Sequence, residues 1–257
     1  MEETQPPPLP QLEAKRPRGM SLPARLLNVF AVPGQVFAEL RTAPSSTSNW
    51  LVPALFGAIV GLISVLIILS QPAIEKQFQE KQKQLLEEQS KAGKLTPQQR
   101  EMAERFMGPT VIKSFAGAGA VAGNFLSVLW WGFLLWFLAR RMLRVQVPFA
   151  KALEVAGLAM MINVLGSVVA MLLIVNIGRI GASPSLAFVV KDFDVTRKGN
   201  LLAAAANLFS LWVVGVRAVG LAKLTDAPFL RAAWLVLTCW VLEQCLFVIS
   251  GLGQLAM

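Results

Sequence analysis

Three polar side chains deep inside long apolar stretches are candidates for function, because a polar group is costly there. They are Asn124, Asn207 and Glu243. Counted at about 1.5 Å per residue from the end that we place in the cytoplasm below, Glu243 lies some 20 Å deep and the two asparagines lie at a similar depth. We therefore expect one polar layer, which is either a protonatable site or ligand pocket, or a hydrogen-bonded clasp.

The remaining composition excludes several classes of enzyme. The chain has no histidine, which rules out a Ser-His-Asp hydrolase, a Cys-His nucleophile and a zincin. Cys239 and Cys245 are six residues apart on one predicted helix, too far for a disulfide. Serine-lysine and carboxylate chemistry stay open, but no acid and base can be paired at one depth. We expect no enzymatic activity, no cofactor and no metal ion.

The basic residues indicate contact with lipid headgroups. The formal net charge is +9, but no basic stripe is interleaved with aromatic residues, so we expect no nucleic-acid partner. A compact cluster, Arg140, Arg141 and Arg144, adjoins the second apolar stretch, and Arg217 lies about a turn from the end of the fourth. These four are candidate headgroup contacts.

Small residues mark places where helices can approach closely in lipid. Gly57 and Gly61 form a GxxxG motif in the first apolar stretch, and Gly119 and Gly123 form another in the second. These four glycines are candidate helix-packing residues, and they predict that the first two spans pair.

Five long apolar stretches must position these residues. About 20 apolar residues in a helix cross a hydrocarbon core of about 30 Å, and each stretch is close to that length. The composition agrees, because 55% of the residues are hydrophobic and only 15% are charged. The sequence thus predicts an all-α integral membrane bundle over 50–252, with spans at 51–69, 115–138, 155–177, 201–221 and 229–252.

The segments before and between the spans are of three kinds. Residues 1–20 are predicted to be a disordered, proline-rich tail. Residues 21–49 contain an apolar face at helical spacing, interrupted at Pro33, which predicts amphipathic helices in the headgroup plane; the alternative is that this face packs against the bundle. The hydrophilic loop 71–113 predicts two exposed helices joined near 92–96.

The distribution of positive charge predicts the orientation. Raw counts of lysine and arginine on the two sides are nearly even, so the signal rests on the cluster RRMLR after the second span. We place the N-terminus in the cytoplasm and the C-terminus on the opposite side of the membrane.

Several stretches carry a family resemblance. LLNVFAVPGQVFAEL followed by NWLVPALFGAIVGLISVLI, the loop LTPQQREMAERF, and above all NLFSLWVVGVRAVGLAKL resemble the Yip (Ypt/Rab-interacting protein) domain family in its bacterial form. The resemblance covers about Arg25 to Leu252. It implies five transmembrane helices with a cytoplasmic N-terminus and no known catalytic residues, and eukaryotic relatives are associated with Rab GTPases and early secretory membranes. Asn207 stands where relatives have an aspartate.

These observations predict a non-enzymatic, Yip-like membrane protein that organises membranes or partner proteins, as a trafficking-like scaffold does. The alternative is a small transporter or lipid-handling protein that uses the polar layer around Glu243. The expected partners are the lipid bilayer, a protein bound at the cytoplasmic N-terminal region or at loop 71–113, and a second copy of the chain.

Overall fold

The computed structural model describes residues 19–93, 96, 98–99, 101–102, 108–179, 181–186 and 198–250. Its helices are α1 (Leu22–Ala31), α2 (Pro33–Thr42), α3 (Ser48–Leu69), α4 (Pro72–Lys91), α5 (Pro109–Phe137), α6 (Phe149–Ile177), α7 (Lys198–Ala205), α8 (Leu208–Thr225) and α9 (Phe229–Ser250). A π-helical turn, Leu138–Met142, extends α5. Among the described residues, α3, α5 with its extension, α6, α8 and α9 are long and apolar enough to cross a membrane. The predicted all-α fold with five spans is confirmed, and the chain is a multi-pass membrane protein.

The spans run alternately up and down between two ends of the bundle. We call the end where α1 and α2 pack the near end and the end that bears α4 the far end. An ion pair between Arg41 and Asp226 joins α2 to the end of α8 at the near end. At the far end, the side-chain amide of Gln77 on α4 donates to the carbonyl of Gly178, just after α6, at 2.7 Å.

Helix α6 is the centre of the bundle. It packs against α3, α5 and α8, and every residue from Lys151 to Met160 is buried. A helix that is apolar on all sides is expected where neighbours surround it. Helix α9, in contrast, packs mainly against α8 and leaves most of its surface open.

Two glycines allow the closest helix contacts at the near end. Gly157 of α6 lies against the backbone of Trp50 at the start of α3, and a Cβ atom there would overlap Trp50 Cα. Gly220 of α8 lies against Val155 of α6 in the same way. Since lipid gives apolar helices little reason to associate, such close packing is a principal source of their attraction.

The two N-terminal helices pack their apolar face against the bundle. The Ser21 hydroxyl caps α1 by accepting from the amide of Ala24, and Pro33 begins α2, where its missing N–H costs nothing. Four apolar side chains from these helices are completely buried: Val29, Val36, Phe37 and Leu40. Helix α1 contacts α6 and α2 contacts α8, so the second of the two alternatives for this face describes the structure.

The helix boundaries differ from the predicted spans at two places. The stretch predicted as one span at 201–221 is divided into α7 and α8, because the Asn207 side chain accepts from the amide of Phe209 and caps α8. The third span begins at Phe149 rather than at 155, because Lys151 and Glu154 find partners inside the protein. Residues 1–18 of the tail, and residues 97, 100 and 103–107 in and beside the second predicted loop helix, lie outside the described residues.

Candidate functional site

The structure places the three predicted layer residues in separate environments. Glu243 of α9 lies close enough to Arg217 of α8 for their charges to interact, and Trp130 and Trp131 on α5 are its other polar neighbours. Its partner inside the spans is therefore an arginine, where an asparagine was predicted. We call Arg217, Glu243, Trp130 and Trp131 the intramembrane cluster.

Arg217 is held by an aromatic face. Its Cζ atom lies 4.0 Å from the ring centroid of Trp131, and the residue is only 3% exposed. A desolvated cation over an indole ring gains about 2 kcal/mol. The Nε atom of Arg217 has no hydrogen-bond partner among the described residues.

This position corrects the predicted headgroup contact of Arg217. The prediction placed the end of the span at Leu221, but α8 continues to Thr225. Arg217 thus lies eight residues from the helix end (225 minus 217), or about 12 Å along the axis, and its side chain is buried within the protein.

Asn124 is used in the contact between α3 and α5. Its side-chain amide donates to the carbonyl of Ala120 at 2.6 Å. A Cβ atom added at Gly57 would lie 2.6 Å from Asn124 Oδ1, and one added at Gly61 would lie 3.2 Å from Asn124 Nδ2. The GxxxG motif of α3 therefore makes room for an asparagine side chain.

The second GxxxG motif, on α5, does not face α3. A Cβ atom added at Gly119 or Gly123 would meet nothing within 4 Å in the part of the chain that the structure describes, so these glycines do not form the predicted contact. The glycine of α5 that packs closely against α3 is Gly117, since a Cβ atom there would lie 2.9 Å from Leu62 of α3. A shift of two residues turns the motif by about 200° around a helix, away from α3.

Asn207 serves the local backbone. Its side chain accepts from the amide of Phe209 at 2.9 Å, and its main chain forms a bridge with Ser185. The residue thus ends the connection before α8 and begins that helix.

The most complete polar site lies at the near end and centres on Glu154 of α6, which is 1% exposed. Its Oε1 accepts from the amide of Ser46 at 2.9 Å, and its Oε2 accepts from the side-chain amide of Asn49 at 2.8 Å. Lys151 Nζ lies 3.7 Å from Oε1. Both carboxylate oxygens are occupied by the protein itself.

Lys151 joins this site to the end of α2. Its ammonium group donates to the carbonyls of Leu40 and Ala43, each at 2.7 Å. The last carbonyls of a helix lack partners within it and carry partial negative charge, so a buried lysine satisfies them and is stabilised by them.

Arg25 of α1 completes the network. It donates to Asn49 Oδ1 at 3.2 Å and to Glu39 Oε1 of α2 at 2.8 Å. Burial alone would raise the pKa of Glu39, but hydrogen bonds from Arg25 and from the Met20 amide outweigh it and hold the pKa below its ordinary value of 4.5. We call the five linked residues the near-end network: Arg25, Glu39, Asn49, Lys151 and Glu154.

The near-end network has almost no signature in the sequence. Lys151 and Glu154 stand just before the predicted third span, where they resemble ordinary boundary charges. Asn49 and Glu154 are separated by 105 positions, so no local spacing links them. The available signal was weak: a lysine and a glutamate at i, i+3 directly before an uncharged apolar run.

The three clustered arginines lie exposed at the near end of α5. The π-helical turn carries Arg140 and Arg141, and Arg144 follows it in the left-handed region, with φ of 59°. Arg140 donates twice to Gln146 Oε1, at 3.0 and 2.6 Å, and its Cζ lies 5.1 Å from the ring centroid of Trp136. Their exposure makes them available to lipid headgroups.

In chemical terms, these sites hold charge but do not offer a free reactive group. No group of three or more metal-binding side chains occurs within the described ranges. The carboxylate of Glu154 is saturated with donors, and that of Glu243 faces a guanidinium. The arrangement can fix helices to one another and present cations at the near end.

Comparison with known proteins agrees with the fold. A family model described as the Yip1 domain matches residues 27–252. No curated protein and no solved structure matches the chain. Since the match includes all five spans, α2 and the second half of α1, the chain belongs to the Yip1 domain family.

Proposed function

We propose that this protein is a non-enzymatic scaffold that organises membranes or partner proteins. The near-end network supports the proposal. It joins α1, α2, α3 and α6 through buried, hydrogen-bonded charges, and so holds the two N-terminal helices as a fixed platform on the bundle. A rigid, preorganised surface loses less entropy when it binds a partner.

The proposed partner surface is the outer side of this platform. Leu27 of α1 is 71% exposed, although its neighbours on the inner side are buried. In the proposed orientation the near end faces the cytoplasm and the C-terminus lies across the membrane. Loop 71–113 would then offer a second surface on the opposite side.

The orientation can be tested with single cysteines placed at Gly93 and at Arg141, in a chain whose Cys239 and Cys245 are replaced by serine. An impermeant thiol reagent should label the two positions from opposite sides of sealed vesicles. Labelling of both from one side would overturn the five-span arrangement in the membrane.

The scaffold role can be tested with a photoreactive amino acid at position 27 in native membranes. We expect discrete protein adducts there, identified by mass spectrometry, and their reduction when Glu154→Leu loosens the platform. The matched control is position 249, on the open face of α9, where lipid adducts are expected. Adducts with lipid alone at both positions would contradict the proposal.

A second candidate function is a small transporter or lipid-handling protein centred on Glu243. The observation that favours it is the meeting of opposite charges, Arg217 and Glu243, inside the spans. Proteoliposomes containing a pH-sensitive dye would distinguish the two. The scaffold proposal expects no proton flux above that of empty vesicles; flux that Glu243→Gln abolishes would favour the transporter.

A further inference from the structure

An open groove lies beside the last turns of α5. It has a volume of about 490 Å³ and is lined by Phe133, Trp136, Phe137, Arg140, Arg141 and Gln146. Phe133 and Phe137 are exposed large apolar side chains on a membrane-spanning helix. Apolar rings thus line the part of the groove within the span, and arginines line the part at its near end.

The near end of this groove is strongly cationic. Arg231 at the start of α9 donates to the carbonyl of Met142 at 3.4 Å, which brings a fourth arginine to the π-helical turn that carries Arg140 and Arg141 and is followed by Arg144. Among the residues that the structure describes, none of these four arginines forms an ion pair. Their charge is therefore not neutralised by any carboxylate within the described ranges.

Arg140 is held in place without being neutralised. Its Nε and one terminal nitrogen donate to the neutral side chain of Gln146, and its guanidinium lies over the indole of Trp136. The two hydrogen bonds to Gln146 leave the other terminal nitrogen of Arg140 available to bind an anion. A planar guanidinium held in this way suits the oxygen atoms of a phosphate.

The backbone at the groove is also irregular. The helix widens into the π-helical turn Leu138–Met142, and Arg144 takes a left-handed conformation that non-glycine residues rarely adopt. Such turns within helices frequently mark functional sites. Arg140 and Arg141, which this turn carries, are both exposed.

We propose that the groove binds an anionic phospholipid. Its headgroup phosphate would lie against Arg140 and Arg141, and an acyl chain would lie along Phe133 and Phe137. The order of apolar and cationic side chains in the groove matches the order of chain and phosphate in a lipid at the membrane boundary. This inference goes beyond the scaffold role and does not require it.

The test is native mass spectrometry of the full chain released from detergent with added phosphatidylglycerol or phosphatidylcholine. The wild type should retain phosphatidylglycerol selectively. Each basic side chain near an anionic lipid contributes about fivefold in affinity, so Arg140→Gln with Arg141→Gln should lower retention by about twenty-five-fold. Lys83→Gln with Lys91→Gln removes the same charge from exposed positions on α4 and should have no effect on retention.

Two further measurements keep the proposal falsifiable if the double variant folds poorly. Arg141→Gln alone, at an exposed position, should retain the wild-type unfolding temperature and lose about fivefold in retention. Inorganic phosphate should not displace the lipid, because it lacks an acyl chain. Equal retention of the two lipids by the wild type, loss in the α4 control, unchanged retention in Arg141→Gln, or displacement by phosphate would each overturn the proposal.

Discussion

The near-end network and the intramembrane cluster both bury charge, but they compensate it in different ways. In the network, both oxygens of Glu154 accept hydrogen bonds and the ammonium of Lys151 donates to two carbonyls. In the cluster, Arg217 rests on an indole face and its Nε has no partner among the described residues. Hydrogen-bond donors and acceptors stabilise the first, and a ring quadrupole with one facing carboxylate stabilises the second.

The two regions also differ in what holds them together. The network joins four helices, one of which is the central α6, whereas Glu243 lies on α9, which packs mainly against α8. A charge held by several helices is stabilised only when all of them are in place, so a change in the network should lower the stability of the fold strongly. The cluster should tolerate change more readily, as expected of a site that can adjust for function.

The largest expected effect is at Glu154. Glu154→Leu leaves the buried Lys151 without its carboxylate and Asn49 without its acceptor, and removing one partner of a buried ion pair costs about 3–5 kcal/mol. This cost can be measured by unfolding the protein in mixed micelles that contain an increasing fraction of sodium dodecyl sulfate. Lys151→Met in the same chain should restore part of the stability. If the two changes simply add, the residues are not coupled and the network is not a unit.

A change of packing near the same network should have the next largest effect. Gly157→Ala places a Cβ atom against the backbone of Trp50, which cannot move aside as a side chain can. Overpacking of this kind costs about 1–3 kcal/mol. The matched control is Gly119→Ala, where a Cβ atom meets nothing within 4 Å among the described residues. Equal loss of stability in the two variants would show that the near end is not the more tightly packed region.

These glycines illustrate how far the sequence alone could lead. The apolar lengths predicted the all-α bundle and its five spans, because length and hydropathy are properties of each segment alone. The GxxxG pattern pointed to a contact for Gly57 and Gly61, yet it also selected Gly119 and Gly123. Which face of a helix meets a neighbour depends on its rotation, and the pattern within one helix does not determine this rotation.

The charged residues show the same limit more strongly. Glu243 was identified because it interrupts an apolar stretch, but its partner Arg217 was assigned to the headgroups because the end of α8 was placed four residues too early (225 minus 221). Glu154 was missed because its partners come from α3 and from the turn before it, more than 100 residues away. Pairing between distant segments follows from the packing of the bundle and has no signature in local spacing.

Changes at Glu243 should be milder than those at Glu154. Glu243→Gln removes the charge that faces Arg217 but keeps a polar side chain of the same shape. Hydrogen bonds between membrane helices contribute only about 0.6 kcal/mol on average. We expect the free energy of unfolding to fall by about 1 kcal/mol in Glu243→Gln and by somewhat more in Glu243→Leu. Both losses stay small because the stacking of Arg217 on Trp131 persists. A loss in Glu243→Leu as large as that in Glu154→Leu would remove the distinction between the two regions.

The smallest effect concerns Glu39, at the partly exposed edge of the near-end network. Because its folded pKa lies below the ordinary value of 4.5, its contribution is fully present above that pH and is lost as the pH falls through the folded pKa. The difference in stability between the wild type and Glu39→Gln should therefore be constant from about pH 7 to 5.5 and shrink below pH 4.5, by no more than about 1 kcal/mol. Comparing the two chains at each pH cancels the titration of other carboxylates. In an Arg25→Gln background the same difference should depend little on pH, because the main partner is absent. A difference that grows as the pH falls would mean that Glu39 is stabilised as the neutral acid, and an ion pair to Arg25 would then not be what joins α1 to α2.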